Sequence, residues 1–131
     1  MKQQPPSLLV LCLIFFLSGI LSCTKNKGLL PQAKIKTLCD SLNVKFSTDI
    51  NPIIQANCAV QGCHVSGGLG NGDFTTYNGI SAKADAPVGN GALRKRALEG
   101  NPSWMPLGLG PLPLSQRQKI DCWLQSGAMN N

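Results

Sequence analysis

The chain has 131 residues, 43% of them hydrophobic and 14% charged, with a formal net charge of +6. Once an N-terminal leader is set aside, that length holds one small domain and excludes two. The positive balance does not point to nucleic acid: from Phe46 onward Lys83, Arg94, Lys95, Arg96, Arg117 and Lys119 are nearly matched by Asp49, Asp73, Asp85, Glu99 and Asp121, and the surplus lies upstream at Lys2, Lys25, Lys27, Lys34, Lys36 and Lys45.

Residues 1–22 read as an export signal. Lys2 supplies its positive start, and the apolar run from Leu8 to Leu17 is too short to span a bilayer. The run closes on Ile20-Leu21-Ser22-Cys23, which resembles the lipobox of bacterial lipoproteins, and no A-x-A cleavage site competes with it. Cys23 is therefore the expected lipidation site, and residues 23–38 the acylated cysteine with a lysine-rich tether broken by Gly28 and Pro31. A domain over 39–131 follows. This organisation places the protein in the bacterial cell envelope, facing the periplasm or the cell surface, and attached to the membrane through lipid.

Export also sets the fate of the cysteines, because an oxidising compartment leaves few free thiols. Cys12 departs with the signal and Cys23 takes lipid, which leaves Cys39, Cys58, Cys63 and Cys122. Two accounts use all four. Either they form two disulfides, or Cys39 pairs with Cys122 while Cys58 and Cys63 bond to a cofactor.

The first helix of the domain is expected over Ser47 to Asn57, with Ser47 as N-cap, Asp49 in the first turn and Ile50, Ile53 and Ile54 at helical spacing. Pro52 favours a start nearer Asn51, where proline occupies the tolerated first position. Immediately after this helix comes Cys58-Ala59-Val60-Gln61-Gly62-Cys63-His64, in which the single histidine of the chain directly follows a cysteine. Two thiols that add across the vinyl groups of a haem deliver an adjoining histidine to the iron, and C-x-x-C-H is the usual form of that clamp. Here four residues separate the cysteines, so two of them must loop out, and Gly62 is the residue best able to take the backbone conformation required.

Ser66 to Asp73 is a glycine-rich loop without the lysine of a phosphate-binding loop, and is expected to run past the haem face. Short helices are expected over Thr75 to Lys83 and Gly91 to Glu99, the second closing at Gly100. Arg94-Lys95-Arg96 reads as a solvated helix face, with an acidic partner or the haem propionates as the competing use. Met105 is the candidate distal ligand, stiffened by Pro102, Pro106, Pro111 and Pro113, whereas Met129 lies in the C-terminal tail. The last helix is the best marked: Ser115 and Gln118 suggest a capping box, Ile120, Trp123 and Leu124 form the apolar stripe, and Gly127 terminates it. Trp123 reads as a packing residue.

The ordered set Phe46 to Ile54, Asn57-Cys58, Gly62-Cys63-His64, Met105-Pro106 and Trp123 to Ala128 resembles the small class I cytochrome c-like lipoproteins of Bacteroidetes-type bacteria, over roughly residues 39 to 131. The resemblance implies an all-α fold of three to four helices around one haem c. It also implies covalent attachment through Cys58 and Cys63, axial ligation by His64 and Met105, and single-electron transfer to redox protein partners in the envelope. An exported, haem-free binding lipoprotein with two disulfides is the alternative. A thiol oxidoreductase is disfavoured because a redox dithiol normally has two intervening residues, and a haem peroxidase because a six-coordinate iron leaves no open position.

Overall fold

A computed structural model describes residues 32–84 and 91–131. The export signal, Cys23 and the first part of the tether lie outside the described residues. Helix α1 is Gln32–Leu42; a π-helical turn, Phe46–Ile50, runs directly into α2, Asn51–Asn57; α3 is Tyr77–Ser81; a second π-helical turn is Arg94–Leu98; and α4 is Leu114–Gln125. No strand occurs among the described residues, so the fold is all-α there, in line with the class expected.

Among the described residues the first helix, Gln32–Leu42, lies ahead of and across the Cys39 boundary, so the part of the 23–38 segment from Gln32 onward is helical rather than a flexible tether. The reason is tertiary: α1 packs on α4 and is joined to it by a Cys39–Cys122 disulfide that links positions 83 residues apart. Composition carries no signal for a helix held in this way.

Pro52 explains the two-part second element. Without an N–H, Pro52 cannot bond to the carbonyl four residues earlier, and its ring crowds that carbonyl. The preceding turn widens accordingly, with Ile50 N–H donating to the Lys45 carbonyl at 3.3 Å and Asn51 N–H to Phe46. The turn begins at Phe46 and Ser47 provides no cap. Instead the Asp49 carboxylate reaches back to accept from Lys45 N–H at 3.1 Å and from the Lys119 ammonium at 2.7 Å.

Those two donors, Lys119 first, hold the Asp49 carboxyl below its usual value. A carboxyl depressed on folding contributes stability that is complete above its unfolded pKa and fades as pH falls through the folded one. Asp49→Asn should therefore cost about 0.5–1 kcal/mol at neutral pH, the scale of a partly exposed pair. Urea titrations should show that deficit shrinking below about pH 4 as the wild-type carboxyl protonates; a deficit unchanged down to pH 2 would contradict the assignment.

Helix α4 is the hub. It packs against α1 and both π-helical turns, and its Ile120, Trp123 and Leu124 are fully buried with Ile50, Ile54, Ile80 and Leu98. Trp123 lies 5.7 Å from the Phe46 ring, which meets Tyr77 edge-on at 5.0 Å, and its indole N–H donates to the Met129 carbonyl. Gly127, at φ +93°, closes α4: its N–H bonds to the Leu124 carbonyl and Ala128 N–H to Trp123, the two bonds of a Schellman cap. The tail then turns back over the core, where Tyr77 Oη donates to the Ala128 carbonyl and Asn131 accepts from Phe46 and Ser47 N–H.

At the other end of α4 the expected Ser115–Gln118 capping box is replaced by Pro113. That residue enters extended, at ψ 144°, and its carbonyl accepts from Gln116 and Arg117 N–H, which puts Ser115 inside the first turn.

Candidate functional site

Helix α2 delivers the two-cysteine segment. Cys58 N–H still bonds to the Ile54 carbonyl at 2.8 Å, so the first cysteine hangs from the helix end and is buried in the core. The chain then loops outward through Val60, Gln61 and Gly62, all exposed, with Gly62 at φ +80°. That left-handed conformation is costly for any residue with a Cβ and open to glycine, the role expected of Gly62. Cys63 N–H bonds to Val60, and His64 N–H returns to the Cys58 carbonyl at 3.1 Å. This last bond closes the loop, so that the four-residue spacer brings His64 back beside Cys58.

The glycine-rich segment wraps the histidine. Leu69 N–H donates to the Gly62 carbonyl, Gly70 N–H to Cys63, and Phe74 N–H to His64. The Phe74 ring lies parallel to the imidazole at 4.2 Å, with 4° between planes. Gly70 has to be glycine here, because a Cβ on it would fall 2.6 Å from His64 Nδ1.

His64 Nδ1 lies 3.2 Å from the Gly72 carbonyl oxygen. A carbonyl only accepts, so Nδ1 carries the proton, and in the neutral ring Nε2 keeps its lone pair. A ring held by a backbone carbonyl on one nitrogen and open on the other is the usual arrangement of a metal-binding imidazole. Gly70, Gly72 and Phe74 are thus site residues that motif reading missed. The glycine spacing was visible, but nothing in it told which side chain the loop would enclose.

The two thiols differ sharply. Cys58 and Cys63 are both free, not paired as the two-disulfide alternative has them, with Cys58 buried and Cys63 exposed. Burial, and secondarily the neighbouring Cys63, push the Cys58 thiol up to about 11. In haem-free protein, iodoacetamide at pH 8 should label Cys63 and leave Cys58 untouched until the domain is unfolded, as read by peptide mass spectrometry. Equal labelling of the two in the native state would contradict this placement.

Met105 sits in the proline-rich segment, half-buried, with its N–H bonded to the Arg96 carbonyl at 3.0 Å. Next to it Trp104 lies over Gly100, where a Cβ would meet the indole, and beneath the Arg117 guanidinium at 5.5 Å. Arg94 departs from the solvated-face reading of Arg94-Lys95-Arg96. Its guanidinium is largely buried and paired with the buried Asp121 carboxylate of α4. A cavity of about 520 Å³ lies at the disulfide between α1 and α4, and none of the candidate haem residues lines it.

No family model, curated protein or solved structure matches this chain. The functional reading therefore rests on the residues alone. The donor set suits a covalently attached haem: two thiols on one closed loop, and an imidazole whose free nitrogen is the one that ligation needs.

Proposed function

We propose that the protein is a membrane-anchored c-type cytochrome that carries single electrons in the bacterial cell envelope. The single observation that carries this reading is the 3.2 Å contact of His64 Nδ1 with the Gly72 carbonyl oxygen, which leaves Nε2 for ligation, on a loop closed by the His64 N–H bond to the Cys58 carbonyl.

In this reading Cys58 and Cys63 hold haem c as thioethers, His64 Nε2 is the proximal ligand and Met105 the distal one, within a small class I cytochrome c-like fold. When bound, the haem supplies a one-electron ferrous/ferric couple. The chain does the rest. The Gly72 carbonyl and Phe74 fix the imidazole plane, Gly62 lets the spacer leave the loop, and the Arg96 carbonyl anchors the Met105 backbone. Leu69, Leu107 and Leu109, on the segments that bear the ligands, are 99%, 71% and 82% exposed, apolar area suited to lying against a macrocycle or a redox partner.

The Cys58 thiol does not support the oxidoreductase alternative, since a reactive cysteine needs a depressed pKa and access, and Cys58 has the opposite of both.

Met105→Ala tests the ligand set in protein matured with haem. The weak near-infrared sulfur-to-iron band of the oxidised protein should disappear while the covalent haem is retained; an unchanged spectrum would remove Met105 from the site.

A further inference from the structure

We infer that the Cys39–Cys122 disulfide is a site of thiol–disulfide exchange, and that its reduction by a dithiol releases α1 from a domain that stays folded. The inference stands apart from the haem reading, since it uses neither Cys58, Cys63 nor His64.

The core draws its large, fully buried side chains from beyond α1. Its fully buried large side chains, Ile50, Ile54, Ile80, Leu98, Ile120, Trp123 and Leu124, all come from Ile50 onward. Among the described side chains of α1, Cys39 is the one packed against that core, while Lys36, Asp40, Ser41 and Leu42 are exposed. Beneath the helix lies the cavity of about 520 Å³, lined on one side by Lys36, Cys39 and Asp40 and on the other by Cys122, Gln125 and Met129. The described end of the helix, around the disulfide, therefore borders an open cleft.

That cleft gives access to the bond. Cys39 is the less buried of the two, Cys122 lying within the core on α4, which makes Cys39 Sγ the sulfur for an incoming thiolate to attack. A dithiol reductant attacks Cys39 Sγ, the Sγ–Sγ bond breaks, and Cys122 leaves as a thiolate that takes up a proton. The reductant's second thiol then displaces Cys39 from the mixed disulfide. Two electrons and two protons pass from the dithiol, which becomes a disulfide, to Cys39 and Cys122, which become thiols. Cys122 remains in the core as a small apolar side chain.

Once freed, α1 has 11 residues, too few for an isolated helix to persist in water. Uncoiling takes the segment from about 16 Å to as much as about 38 Å, so reduction lengthens the link between the domain and whatever precedes it.

The test is hydrogen exchange of the full chain, native, with and without dithiothreitol, alongside iodoacetamide trapping of Cys39 and Cys122. Under reduction Cys39 should be trapped without denaturant and the buried Cys122 only on unfolding, and the amides of Gln32–Leu42 should exchange at least about a hundredfold faster, while those of α2 and α4 keep their protection. Cys39→Ser should reproduce the reduced pattern without any reductant. The inference is overturned if the Cys39 thiol appears only in denaturant that unfolds α4, if α1 stays protected after reduction, or if α4 loses protection together with α1 in either the reduced protein or the variant.

Discussion

His64→Ala, in protein matured with haem, is expected to abolish the sharp reduced α and β bands while leaving haem covalently bound through Cys58 and Cys63. Carbon monoxide, which a six-coordinate iron excludes, should then bind to the reduced protein. The size of the effect follows from the composition: the chain has one histidine, so nothing else can supply an imidazole. The structure adds a graded companion. Gly70→Ala would drive a methyl group into the ring at Nδ1 and Cγ, and should disturb the same bands without removing the ligand. Sharp bands that survive His64→Ala would mean that the proximal ligand has been misassigned.

Asp121→Ala is expected to have the largest effect on stability, about 3–5 kcal/mol in urea unfolding, the usual cost of stranding one charge of a buried pair. Asp121 is buried on the core-facing side of α4, and its partner Arg94 lies in the second π-helical turn, so the pair joins the two elements. Removing the carboxylate leaves a largely buried guanidinium whose Nε already lacks a hydrogen-bond partner among the described residues. Replacing both residues by apolar ones of similar volume, Arg94→Met with Asp121→Leu, should recover most of the loss, because the desolvation cost of both ions disappears with them. A single-variant deficit below about 1 kcal/mol would show that solvent screens the pair as it does a surface bridge.

The parts of the fold that could be read from the sequence were those governed by local rules. The Ile120, Trp123 and Leu124 stripe and Gly127 follow from helical period and from the left-handed residue that ends a helix, and both hold in α4. Gly62 was legible because a spacer two residues too long must leave the loop somewhere, and glycine leaves most easily. Counting cysteines left Cys39 and Cys122 as a pair, conditional on the fate of Cys58 and Cys63, and the structure joins them.

What escaped were relations between distant residues. Arg94 looked solvated because its partner, Asp121, is 27 residues away. The helical course of α1 depends on α4, at the far end of the chain, so its own lysine-rich composition concealed it. Pro52 marks a disturbance at the helix start, but the π-helical turn ahead of it, where Asp49 meets Lys119 70 residues away, is not legible from local spacing. The enclosure of His64 by Gly70, Gly72 and Phe74 is a property of a folded loop that no fixed spacing encodes.

The central claim is covalent haem on Cys58 and Cys63, and the most direct test is to produce the chain with a haem-maturation system, denature it and stain the gel for haem. The account predicts haem that migrates with the denatured chain, is lost when both cysteines are replaced by serine, and shows sharp reduced α and β bands before denaturation. Colourless protein, or haem that separates from the chain on denaturation, would contradict it.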